Sequence, residues 1–87
     1  MGTDLTASFQ QAIEDSKGLT ERPSNDTLLQ LYSFYKQATE GDAPAENPGT
    51  PFDFVAKAKY EAWNALRGRT KDLAMKDYID LVNKLKN

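Results

Sequence analysis

Leu31-Tyr32-Ser33-Phe34-Tyr35-Lys36-Gln37-Ala38-Thr39-Glu40-Gly41-Asp42 is the stretch that decides how this chain folds. It reads as the end of a helix that is apolar over more of its girth than one core requires. At about 100° per residue, with Tyr32 as the origin, Leu28, Leu29, Tyr35, Lys36 and Thr39 fall within roughly 60°. Leu31, Phe34 and Ala38 occupy an adjoining arc, and Asp26, Gln30, Ser33, Gln37 and Glu40 form a polar strip. One arc is expected to face a core. The other offers two phenols and an ammonium to something else.

Working outward, three more helices can be read. Leu5, Phe9, Ala12 and Ile13 recur at helical spacing over residues 4–17, and Gly18 stops them. Arg22-Pro23 breaks the chain, and Ser24 is positioned to cap the second helix, 25–40. Gly41 suits a left-handed C-cap. Residues 42–51 are rich in turn formers, with Thr50-Pro51 as the expected N-cap and first helical position of a third helix, 51–66. Asp53 would sit in its first turn, with Phe54, Ala58, Ala62 and Leu66 on one stripe. Thr70 caps a fourth helix, 71–86, with Ala74, Tyr78, Val82 and Leu85 in line and Met75 and Ile79 beside them. No segment alternates like a strand. The expected fold is all-α, one four-helix domain over 1–87.

Composition narrows the chemistry. With 39% hydrophobic and 28% charged residues the chain is an ordinary globular sequence rather than a disordered one. It has no Cys and no His, so disulfides, thiolate nucleophiles, most zinc sites and the commonest general base are unavailable. Neither GxGxxG nor a phosphate loop is present. The expectation is no catalytic residue, no metal and no cofactor. No apolar run reaches the roughly 20 residues of a membrane span, and no signal-peptide pattern opens the chain, so a cytoplasmic protein without stable membrane insertion is expected. The amino-terminal Met1-Gly2 pattern lacks the basic patch that would support a lipid anchor.

Net charge is −2, unevenly distributed. Residues 1–54 carry 3 basic and 9 acidic side chains, a balance of −6, and residues 55–87 carry 8 basic and 4 acidic, a balance of +4. Nucleic-acid binders are usually basic overall, and this chain is not. The asymmetry suits either a small polyanion held by a local cationic patch or simply solvated helix faces.

Two clusters could carry function. Tyr32 and Lys36 stand at i, i+4 with Tyr35 on the same face, a set that can bind a phosphate while a flat ring packs nearby. Spacing alone equally permits tyrosines at the rim of a core and a lysine reaching to water. In Lys57-Ala58-Lys59-Tyr60-Glu61-Ala62-Trp63-Asn64, Lys59 and Trp63 share a face at i, i+4, although a single tryptophan in a small bundle is commonly a core residue. Tyr78 places a hydroxyl in an apolar line, where it needs a partner if buried.

These strings, with Ala74-Met75-Lys76-Asp77-Tyr78-Ile79, resemble the acyl-coenzyme A-binding protein family along nearly the whole chain. The resemblance implies an up-down-down-up four-helix bundle. It implies a monomeric intracellular carrier holding one medium- or long-chain acyl-CoA and making transient contact with acyl-CoA-using enzymes. Carried over position by position, Tyr32, Ser33, Phe34, Tyr35 and Lys36 match the head-group segment. Lys59 matches the lysine at the 3′-phosphate, Tyr78 the tyrosine near the adenine, and Lys17 a lysine at the nucleotide's edge. Phe9, Ala12, Ile13, Leu28 and Leu29 match the acyl groove.

The sequence departs from the family pattern at Val55, where many members carry a lysine, at Ala56 in place of glycine, and at Tyr60 in place of a first tryptophan. The loop near Pro51 is one residue longer. The alternative function is a helical interaction domain whose surplus apolar face docks a partner helix.

Overall fold

The computed structural model describes residues 3–46 and 52–86, which form four helices: α1 (Thr3–Lys17), α2 (Asn25–Glu40), α3 (Phe54–Asn64) and α4 (Lys71–Lys86). No strand occurs among the described residues, and none of the helices is long and apolar enough to cross a membrane.

Local chemistry sets the boundaries. Ser24 Oγ accepts from the Thr27 amide at 3.2 Å, starting α2 as its residue type suggests. Gly41 ends it with its amide on the Gln37 carbonyl at 3.1 Å. Its φ of 83° comes with ψ of −146°, a region open essentially to glycine alone rather than the left-handed helical conformation expected. Thr70 Oγ1 accepts from the Leu73 amide at 3.1 Å and caps α4.

The third helix departs from expectation. Asp53, not a residue of the first turn, is its cap: the backbone is extended there and Oδ1 accepts from the Ala56 amide at 2.9 Å. The Thr50-Pro51 cap falls outside the described residues. At the other end α3 stops at Asn64, because the next amides bond three residues back, from Leu66 to Trp63 and from Arg67 to Asn64. That tight turn carries the chain through Gly68 at φ 90° into α4.

Contacts between helices give their directions. Tyr32 faces Lys59 and, one turn on, Lys36 faces Trp63, so α2 and α3 run parallel. Gln37, near the end of α2, reaches the Arg69 carbonyl just before α4, so α4 runs back against α2. Asp15 meets Lys86 where α1 and α4 both end, so those two are parallel. The result is the up-down-down-up order. A parallel α2–α3 pair needs a connection that returns along a helix length, which explains the long loop between Glu40 and Phe54.

The core lies where α4 packs between α1 and α2: Phe9, Ala12, Leu31, Ala38, Ala74, Tyr78 and Val82 are buried, with Ile13, Leu28, Phe34, Met75, Ile79, Leu81 and Leu85 against them. Among the helices α3 touches α2 only, and its one buried residue is Trp63. The molecule measures 40 × 30 × 15 Å, too thin for α3 to be wrapped on more than one side. Its expected stripe is therefore a core stripe only in part, with Phe54 77% exposed and Ala58, Ala62 and Leu66 half-buried.

The polar strip of α2 is also less polar in use than in composition. Ser33 and Gln37 are buried. Ser33 Oγ donates to the Gln30 carbonyl at 2.9 Å. The Gln37 amide donates to Asp42 Oδ1 at 2.9 Å and to the Arg69 carbonyl at 2.8 Å, and Asp42 also accepts from the Gly68 amide at 2.8 Å. This latch joins the end of α2 to the start of α4.

The latch has a pH signature. The Gly68 amide, then the Gln37 amide, hold the Asp42 carboxyl below the usual carboxylate value. A carboxyl depressed in the folded state adds stability above its unfolded value and loses it as pH falls through the folded one. The stability difference between the protein and an Asp42→Asn variant should thus be full above about pH 5 and shrink below about pH 4. Urea titrations at pH 7 and at acid pH measure it, and a difference unchanged to pH 2 would remove Asp42 from the account. Asp15, depressed by Gln11 and then Lys86, keeps its own acid slope in both proteins.

Candidate functional site

Because α3 leans on α2 alone, the first halves of the two helices leave an open groove of about 690 Å³ between them. Leu28, Leu29 and Tyr32 form its α2 wall, Phe54, Val55, Ala58 and Lys59 its α3 wall, and Arg22 and Asn25 stand at one end. The size suits a small-molecule ligand, and the lining is apolar with cations at its edges.

Two crossed cation–aromatic pairs bridge the helices. The Lys59 ammonium lies 5.3 Å from the centre of the Tyr32 ring, inside the groove. One turn further on, the pattern reverses, with Lys36 of α2 lying 4.9 Å from the Trp63 ring of α3. Both pairs follow from i, i+4 spacing, Tyr32 to Lys36 and Lys59 to Trp63, on two parallel helices. Trp63 is fixed in turn by Nε1–H donating to the Gly41 carbonyl at 2.8 Å. Tyr60 donates to the Pro44 carbonyl at 2.6 Å and Arg67 to the Ala43 carbonyl at 2.7 Å, so α3 and the turn after it hold the start of the loop as well.

Lys36 is hydrogen-bonded to Glu40, which raises its pKa above the ordinary lysine value while partial burial acts against the rise. It carries a full positive charge at neutral pH.

Behind Lys36 stands an aromatic trio from three helices. Phe9 stacks on Tyr35 with centroids 6.2 Å apart and meets Tyr78 edge-on at 5.3 Å, and Tyr35 lies 6.4 Å from Tyr78. Tyr35 is 40% exposed and offers ring surface and a hydroxyl to solvent. Tyr78 is buried, its hydroxyl donating to Ser16 Oγ at 3.2 Å, and Ser16 donates to the Ile13 carbonyl at 2.7 Å.

The expected site residues therefore separate. Leu28, Leu29, Tyr32 and Lys59 share the groove, Lys36 adjoins it through the Trp63 pair, and Tyr35 flanks Lys36 with an exposed ring. Lys17 ends α1, exposed and paired with Glu14 at 3.4 Å. Phe9, Ala12, Ser33 and Tyr78 are buried, and Ile13 and Phe34 pack against the core. Five lining residues were not read as such from sequence: Arg22, Asn25, Phe54, Val55 and Ala58. The available signal was Phe54-Val55, two large apolar residues directly after a capping aspartate.

Among the described residues no group of His, Cys, Asp and Glu is placed to hold a metal ion. The site sets cations and aromatic faces beside an apolar groove, a chemistry that suits a ligand with an anionic and an apolar part.

Val55 has a measurable consequence. It shares the groove with Lys59 one turn away. Val55→Lys is expected to tighten binding of a polyanion by up to about 1 kcal/mol, the scale of an exposed ion pair. The gain should fade with added salt, and titrations at two ionic strengths would read it. A gain that salt leaves intact would contradict the electrostatic origin.

Comparison with known proteins gives a consistent answer. The model of the family described as "Acyl CoA binding protein" matches residues 6–82. The Acyl-CoA-binding protein homolog of Drosophila melanogaster is 43% identical over 81 residues, 93% of each chain. The crystal structure of Oryza sativa Acyl-CoA-Binding Protein 2 superposes with a TM-score of 0.85 at 40% identity, covering 93% of this chain and 89% of that one. Enoyl-CoA delta isomerase 2 of Rattus norvegicus is 48% identical over 88% of this chain, but the match spans only 19% of the isomerase. The relative matched over its length is named as a binding protein; the enzyme matches through a fraction of its chain.

Proposed function

The chain belongs to the acyl-CoA-binding protein family, and on that premise we propose that its α2–α3 face binds one medium- or long-chain acyl-CoA and that the protein acts as a cytoplasmic carrier and reservoir of such thioesters. The observation that carries this reading is the crossed Tyr32–Lys59 and Lys36–Trp63 pairs running into the apolar groove. Coenzyme A presents several phosphate charges and a purine, and the acyl group presents a chain that prefers to leave water. Lys36 and Lys59 take phosphate oxygens, Tyr32 and the exposed ring of Tyr35 take the flat face, and Leu28, Leu29, Ala58, Val55 and Phe54 take the tail. Lys17 and Arg22 add positive potential at the edges. Tyr78 contributes from behind, as the ring against which Tyr35 and Phe9 are set.

Magnitudes divide the labour. Each buried CH₂ contributes about 0.8 kcal/mol, so four further carbons bring about 3 kcal/mol, roughly a hundredfold in affinity, until the groove is filled. The head group sets which ligands enter, and the tail sets how tightly they stay. Calorimetric titration across an acyl-CoA length series, with free CoA as control, tests this. One-to-one binding that strengthens with chain length and then levels off is expected. Affinity independent of chain length would remove the tail from the groove.

A second reading has one observation behind it: Phe52, Phe54 and Val55 are 85%, 77% and 64% exposed at the mouth of α3. Such a patch also suits a partner helix. That reading requires no affinity for CoA thioesters, and the same titrations separate the two.

A further inference from the structure

Lys59 and Lys36 are not equally free to take a phosphate. Among the described residues Lys59 makes no ion pair and rests only on the Tyr32 ring. Lys36 already holds an anion, the carboxylate of Glu40 one turn along α2. We propose that Glu40 sets the affinity of the head-group site by occupying Lys36, so that an incoming phosphate must displace this carboxylate. The inference rests on the acyl-CoA reading above and adds a residue which that reading does not use.

The placement of Glu40 argues that its pairing acts on Lys36 rather than on the helix. It sits in the last turn of α2, where the helix dipole disfavours negative charge. It also follows Lys36 at i+4, the weaker order for a helical ion pair. On helix stability alone this position gains from a neutral or basic side chain. The neighbouring carboxylate, Asp42, cannot take over, because Gln37 and the Gly68 amide engage it. On the facing helix Lys36 meets the Trp63 ring, which supports a cation without neutralising it.

The exposures fit an exchange. The Lys36 side chain is 22% exposed and held against Trp63, whereas that of Glu40 is 53% exposed. The ammonium can therefore stay in place while the carboxylate swings into water. An exposed pair of this type is worth at most about 1 kcal/mol, so its displacement lowers affinity by a factor of about five or less.

The test is a double-mutant cycle read by titration with palmitoyl-CoA and with free CoA. Glu40→Gln should tighten both ligands by the same factor, about three to five, because the tail is not involved, and its thermal midpoint should equal or exceed the parent's. In a Lys36→Ala background the same substitution should bring no gain. Unchanged or weaker binding by Glu40→Gln would overturn the proposal and make Glu40 a positioning residue. An equal gain with and without Lys36 would overturn it too, as a general effect of net charge. If the parent protein bound neither ligand, the acyl-CoA reading would fall first and this inference with it.

Discussion

Trp63→Ala is expected to destabilise the protein by about 3–5 kcal/mol, a large part of the 5–15 kcal/mol that holds a domain folded. Trp63 is the one buried residue of α3, and α3 has no helix neighbour other than α2. Its indole does three things at once: it fills the α2–α3 contact, donates to the Gly41 carbonyl at 2.8 Å, and supports the Lys36 ammonium. Truncation to alanine removes all three, so the far wall of the groove loosens while the α1–α2–α4 core keeps its packing. Trp63→Phe retains the ring and leaves the carbonyl without its donor, a cost of about 1–2 kcal/mol. Urea unfolding followed by circular dichroism ranks the three proteins. If alanine cost under 1 kcal/mol, α3 would not depend on this anchor.

Lys36→Ala is expected to weaken palmitoyl-CoA binding by about 1.5–3 kcal/mol, the range for a hydrogen bond to a charged group, or roughly 10- to 150-fold. Loss of the side chain also uncovers the Trp63 ring, so part of the change could come from packing. Lys36→Met separates the two, because it keeps the apolar stem and removes the charge. Both variants should lose affinity alike and free CoA should follow in parallel, since the phosphate and not the tail is affected. Methionine binding as tightly as lysine would mean that Lys36 serves packing rather than the ligand.

The sequence carried the fold through local chemistry. Ser24 and Thr70 cap α2 and α4 by their hydroxyls, and Phe9, Ala12 and Ile13 of α1 and Ala74, Met75, Tyr78, Ile79, Val82 and Leu85 of α4 lie in or against the core as their spacing requires. The i, i+4 relations of Tyr32 to Lys36 and of Lys59 to Trp63 were equally visible. Their crossing was not, because it depends on α2 and α3 being parallel and in register. Gln37 fell in the polar strip of α2 and Asp42 in the turn-rich segment, and their pairing was not visible because the groups they bond, the Arg69 carbonyl and the Gly68 amide, lie 32 and 26 positions away. Phe54 looked like core because helical periodicity marks an apolar stripe without saying whether a helix or a ligand covers it. The cap of α3 was expected at Thr50 with Asp53 in the first turn, and among the described residues Asp53 is the cap.

The most direct test of the central claim is a titration of the ¹⁵N-labelled protein with palmitoyl-CoA followed by amide chemical shifts. Shifts should concentrate at residues 28–36 and 54–63, including the single indole N–H of Trp63, and saturate at one equivalent. The amides of Lys76, Asp80 and Lys84, on the exposed face of α4, a helix that does not pack on α3, should stay still. Free CoA should move Lys36, Lys59 and Trp63 while leaving Leu28, Leu29 and Val55 in place. No saturable shifts, or shifts centred away from the α2–α3 face, would contradict the account.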